Sequence, residues 1–159
     1  MPVTVLCVGK IKESFFRDAC SEYQKRLSRL MNLQIIEVPD EPEPEHSSEA
    51  IQSAILQKEG ERLLSKITSQ DTVIALCIKA KQCTSEALAA HLSELMVSGH
   101  SRITFVIGGS LGLSPDVIKR ADEKLSVSEM TFPHQLFRVM LLEQLYRAAK
   151  INAGERYHK

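Results

Sequence analysis

Residues 102–113 read RITFVIGGSLGL, an apolar stretch with strand character that stops abruptly at Gly108-Gly109-Ser110-Leu111-Gly112. Val106 and Ile107 suit a buried strand. The glycines that follow remove Cβ atoms and allow left-handed backbone, so amides and carbonyls can come close to a ligand. Ser114-Pro115-Asp116 then has the order of an N-cap, a first helical proline and a first-turn acid. The glycine loop is therefore predicted between a strand end and a helix start, where open α/β sheets bind ligands. Its order is neither G-x-G-x-x-G nor a Walker A loop, so neither standard phosphate-cradling reading applies. By itself the loop is equally compatible with an ordinary glycine-rich turn.

Outward from this loop, strand and helix patterns alternate. Residues 3–8 form a first strand, and Phe15, Phe16, Ala19, Cys20, Tyr23, Leu27, Leu30 and Met31 recur at helical spacing. Residues 34–38 give a second strand. The acidic, proline-interrupted PDEPEPEHSSE that follows reads as a solvated, mobile loop. A helix over 49–67, with Gly60 as a weak point, precedes a strand over 72–78 and a helix over 84–97 ended by Gly99. Beyond the glycine loop the pattern predicts a helix over 115–123, a short edge strand over 125–128 and a last helix over 134–150. The expected fold class is α/β, with a mainly parallel sheet and helices on both faces, in one domain over 1–159.

Composition narrows the function classes. The 159 residues carry 20 basic and 20 acidic side chains, which excludes a strongly cationic nucleic-acid coat but not a local patch. A chain of this length buries nearly 70% of its unfolded surface, enough for one sizeable core (about 150 residues being the reference size). No apolar run approaches the roughly 20 residues of a membrane span, and MPVTVLCVGK enters a strand directly, without the form of a signal peptide. Cys7, Cys20, Cys77 and Cys83 include no C-x-x-C pair and read as reduced thiols of a cytoplasmic protein. Cys77, Cys83 and His91 lack the spacing of a four-ligand metal site, so no metal is expected. Residues 131–159 place Arg138, Arg147, Lys150, Arg156 and Lys159 against only Glu143 and Glu155, a locally basic end that specifies no partner by itself.

Several segments carry a resemblance together: VGK near the start, KEGERLL, VIAL, FVIGGSLGLS, SEMTFPHQLFRVMLLEQLYRA and a terminal YHK. In this combination and at these separations the whole chain resembles the ribosomal RNA large-subunit methyltransferase H family, within the SPOUT superfamily of S-adenosylmethionine-dependent enzymes. The resemblance implies a trefoil knot in the C-terminal part, a homodimer, and methylation at N3 of a pseudouridine in 23S rRNA of the assembled 70S ribosome. Pattern alone gives an unknotted doubly wound sheet, because chains rarely thread their own loops.

By the same resemblance, S-adenosyl-L-methionine would contact Leu76, Gly108, and the run Val127, Ser128, Glu129, Met130, Thr131 and Phe132. The chemistry suits it, since Leu76, Val127, Met130 and Phe132 can form an apolar slot and Gly108 allows backbone contact. Arg138 and His158 are the candidate catalytic residues, with His134 and Tyr157 at the substrate; His134 could equally cap the last helix. Residue pattern does not assign a general base. One departure stands out: Cys77-Ile78-Lys79-Ala80-Lys81 has alanine where many relatives carry a loop glycine. Two other classes remain open at this level. One is a flavodoxin-like nucleotide module using the Gly108 loop for phosphate, and the other is a non-catalytic ribosome-associated protein.

Overall fold

The computed structural model describes residues 2–157. Ten elements follow in order: β1 (Pro2–Val8), α1 (Ser14–Leu27), β2 (Asn32–Val38), α2 (Glu49–Leu64), β3 (Asp71–Leu76), α3 (Ser85–Val97), β4 (Arg102–Ile107), α4 (Pro115–Arg120), β5 (Glu123–Leu125) and α5 (His134–Asn152). The five strands form one sheet in the order β2-β1-β4-β3-β5, every pair parallel. The central strands are buried on both faces, which is why they read as unbroken apolar runs, whereas edge strand β2 alternates.

Each face has its own core. Val5, Cys7, Ile74, Ile103 and Phe105 pack under α1, α3 and α5, including Leu27, Leu92 and Leu142. Leu6, Val8, Val73 and Val106 face the other way, onto Leu63 of α2 and Val117 of α4. The helix starts are fixed locally: Ser48, Thr84 and Ser114 accept from the backbone N–H three residues on. By contrast, α5 starts after Pro133 without a side-chain cap, so His134 is its first residue rather than its cap.

Four expectations are corrected. The helix over 115–123 ends at Arg120, because Asp122 pairs with β3. Its N–H donates to the Val73 carbonyl (2.9 Å) and its carboxylate accepts the Val73 N–H (2.8 Å), which starts β5 at Glu123. The strand expected over 125–128 correspondingly ends at Leu125, and Ser126 turns away with its N–H on the Lys81 carbonyl. The acidic segment after β2 is solvated as expected, but its first residues, Pro39 and Glu41, are tied to α2. Arg62 donates to the Pro39 carbonyl and pairs with Glu41, while buried Glu59 accepts the Glu41 N–H. Gly60, expected as a weak point, is a contact. A Cβ there would lie 2.3 Å from Ser114 Oγ, so the glycine lets α2 meet the start of α4.

Candidate functional site

The loops that leave β3, β4 and β5 meet at the C-terminal edge of the sheet around a cleft of about 460 Å³. Leu76, Cys77 and Ile78 form one wall and Ile107 with the glycine loop forms the floor. The segment from Val127 to the first turn of α5 closes the other side. The parallel sheet dictates this convergence, since every strand delivers its following loop to the same edge.

The glycine loop is built of main chain packed on main chain. A Cβ on Gly108 would stand 2.2 Å from the Gly112 carbonyl oxygen, closer than any side-chain carbon can come. Gly112 N–H donates to the Gly109 carbonyl (3.1 Å), and Gly112 itself sits at φ +85°, in the left-handed region. Behind Gly109 lies the Glu59 carboxylate, 3.3 Å from the position of a Cβ. Burial pushes the Glu59 carboxyl above its usual range, assisted by Asp40, while the Glu41 N–H works against the shift.

The opposite wall is shaped by small hydroxyls. Ser126 Oγ donates to the Ser128 carbonyl (3.0 Å), and Ser128 Oγ accepts the Met130 N–H (3.0 Å). These turns put Val127, Thr131 and Phe132 into the cleft and leave Met130, 74% exposed, at its rim. The half-buried His134 stands at the mouth. Its pKa is lowered by burial first and by the Arg138 guanidinium second, so the ring is neutral at pH 7. With Cys77 held protonated by burial, no formally charged side chain lines this cleft among the described residues.

Of the cofactor residues expected from sequence, Leu76, Gly108, Val127, Ser128, Met130, Thr131 and Phe132 are brought together here, with His134 beside them. Glu129 is exposed and does not line the cleft. Arg138 is also outside its lining. Its side chain is buried, with Nη1 on Glu37 (2.6 Å) and Nη2 on the Gly9 carbonyl (3.1 Å), joining α5 to β1 and β2. Arg138 therefore ties α5 to the ends of β1 and β2 and does not line this cleft. Tyr157 packs elsewhere on α5: its hydroxyl donates to Glu143 (3.1 Å), and Arg147 lies 4.7 Å over its ring. Burial and the Glu143 carboxylate both raise the Tyr157 pKa. His158 lies outside the described residues. Ala80 does not adopt left-handed backbone, so its position makes no demand for a glycine. The sequence reading missed Cys77, Ile78, Pro133 and Phe137 in the lining, although the first two directly follow Leu76.

A parallel α/β sheet with an uncharged cleft at its C-terminal edge, formed by three segments distant in sequence, defines a class of small-molecule-binding enzyme folds. The chain belongs to the SPOUT methyltransferase family: a family profile described as "Predicted SPOUT methyltransferase" matches residues 1–158. The whole chain is 57% identical over 159 residues to the ribosomal RNA large subunit methyltransferase H of Bifidobacterium adolescentis, covering 100% of both. Coverage is equally complete for the proteins of that name from an Exiguobacterium strain, at 55% identity, and from Lactobacillus acidophilus, at 52%. The fold is shared with a solved structure described as a probable methylase family protein of Haemophilus influenzae (TM-score 0.53, 13% identity, 99% of this chain and 70% of that one). It is shared as well with a probable methyltransferase of Bordetella pertussis (TM-score 0.52, 16% identity, 92% and 95%).

Proposed function

We propose that this protein is an S-adenosyl-L-methionine-dependent methyltransferase that modifies N3 of a pseudouridine in 23S rRNA of the assembled 70S ribosome. It works as a cytoplasmic homodimer with a C-terminal trefoil knot and without a metal. The observation that carries this reading is the uncharged cleft. A sulfonium cofactor is itself cationic and needs apolar walls, backbone polar groups and no neighbouring cation. Leu76, Val127, Phe132 and Phe137 supply the walls, and the Gly108 loop supplies the main chain. A phosphate-binding nucleotide module is less favoured, because the cleft offers phosphate amides and the Ser110, Ser128 and Thr131 hydroxyls but no cation. The full-length similarity to proteins named for methylating the large-subunit rRNA supports the substrate class.

When bound, adenosylmethionine supplies an electrophilic methyl group to an attacking nitrogen. This chain's residues supply position and dryness. Main-chain packing at Gly108 and Gly112 fixes the floor, so the methyl donor is held in one orientation and part of the entropic barrier is removed in advance. Neutral His134 at the mouth leaves the donor's positive charge unopposed and keeps a ring nitrogen able to accept a proton. Tyr157 and the basic tail complete the RNA side of the site, in a homodimer across the subunit boundary.

The test is transfer of labelled methyl from adenosylmethionine to ribosomes lacking the modification, beside protein-free 23S rRNA, with the modified nucleotide identified by mass spectrometry. Labelling of N3 in the assembled particle is expected. Absence of transfer to either acceptor, or a labelled base other than a pseudouridine, overturns the proposal.

A further inference from the structure

A second cleft, of about 420 Å³, opens beside Arg138. It lies between the turn after β1, the outer face of α1 and the end of β2. Lys10 stands on the turn, and Arg17, Ser21 and Gln24 line up along α1 at one-turn spacing. Arg138 and Glu37 form the base. The Glu37 carboxylate is engaged by Arg138 Nη1 at 2.6 Å, so the acid in the cleft is already neutralised. The Arg138 side chain is only 5% exposed. Its Nε is buried and is without a hydrogen-bond partner among the described residues. A guanidinium N–H left unpaired in a protein interior is costly.

The rim repeats the imbalance. Arg26, Arg62, Arg102, Arg120 and Arg147 are each held by a carboxylate. Lys10 and Arg17 are exposed and form no ion pair among the described residues. Two uncommitted cations, two uncharged hydrogen-bonding side chains and a buried guanidinium thus share one open groove in a protein whose overall charge is zero. That local excess points to an anion with several acceptor oxygens. The groove is also placed for a substrate strand. Consecutive residues of α5, Phe137 and Arg138, line the methylation cleft and this one respectively.

We propose that this groove is a phosphodiester site that seats the backbone of the RNA strand flanking the target nucleotide, with Lys10 and Arg17 as its ligands and Arg138 as its base. The proposal rests on the reading of the substrate as rRNA and assigns to the groove the phosphate contact that the uncharged methylation cleft does not make. A backbone contact here would hold the strand in register while the base enters the neighbouring cleft, because phosphate contacts position a nucleic acid without reading its sequence.

The experiment uses the full-length protein with Lys10→Ala/Arg17→Ala and, separately, Arg17→Glu, each checked for a wild-type melting temperature and dimer mass. Expected is a tenfold or greater rise in KM for ribosomes, with kcat and adenosylmethionine affinity within twofold of wild type. The dependence of log binding on log salt should become shallower by about 0.7 for each phosphate that the variant no longer neutralises. Unchanged ribosome KM and salt slope in both folded variants overturn the site. An NMR titration of wild-type protein with a short single-stranded RNA, beside inorganic phosphate, distinguishes failure of the groove from failure of the methyl-transfer reading. Shifts at Lys10 and Arg17 with the oligonucleotide support the groove even if the ribosome proves a poor methyl acceptor. Shifts with inorganic phosphate alone overturn it as an RNA site, even if methyl transfer is confirmed.

Discussion

Replacing Gly108 by alanine tests the cofactor site at the position where the backbone is most tightly committed. The added methyl would lie 2.2 Å from the Gly112 carbonyl oxygen, 2.5 Å from its carbonyl carbon and 3.1 Å from its Cα. All three are main-chain atoms, so no rotamer change relieves the clash and the loop itself must open. Opening strains or breaks the Gly112 N–H bond to the Gly109 carbonyl, now 3.1 Å, at a cost of about 0.5–1.5 kcal/mol. Re-forming a strained floor around the ligand brings the total to about 1–3 kcal/mol, or about 5- to 150-fold in Kd for adenosylmethionine. Isothermal calorimetry on the folded variant reads this directly, and Gly108→Val should cost at least as much. Gly99→Ala is the control. Gly99, unlike Gly108, has a positive φ, +84°, and it lies outside the cleft lining with nothing within 4 Å of a Cβ. It should lower stability by about 1–2 kcal/mol and leave cofactor affinity unchanged. Wild-type affinity in a folded Gly108→Ala protein would refute the assignment of this loop to the cofactor.

Gly60→Ala should lower the melting temperature by several degrees, because its Cβ would meet Ser114 Oγ at 2.3 Å at a cost of about 1–3 kcal/mol; adding Ser114→Ala should recover part of the stability, and strictly additive effects in calorimetry would count against that contact. Since the pKa of His134 is lowered in the folded protein, its contribution to stability is full above the ordinary imidazole value and is lost as pH falls toward the folded one. Adenosylmethionine affinity should fall as the pH drops through and below the folded value, where an imidazolium appears beside a sulfonium, and His134→Asn should flatten the profile; an unchanged pH dependence in that variant would dissociate the ring from the cofactor. Removing residues 157–159 takes away the Tyr157 bond to Glu143 while leaving every lining residue of the methylation cleft in place. Methyl transfer should drop tenfold or more, about 1.4 kcal/mol in the transition state, with cofactor affinity preserved; full activity at subsaturating ribosome would show the tail to be dispensable.

What the chain determined by itself is local. Apolar runs buried on both faces marked the central parallel strands. Ser114 marked a helix start through a hydrogen bond that spans three residues. The glycine loop announced itself as bare backbone at a strand end, and the quoted segments carried the family resemblance. Tertiary structure decided what depended on partners far away in sequence. Asp122 reads as helix until β3 offers it the backbone of Val73, 49 residues away. Arg138 reads as a free cation until Glu37, 101 residues away, engages it. Gly60 reads as a defect until Ser114 is folded against it. Periodicity and capping record interactions within a turn or two of chain. Strand order, a half-buried ion pair and the meeting of three loops around one cleft are long-range pairings, fixed only when the sheet brings their partners together.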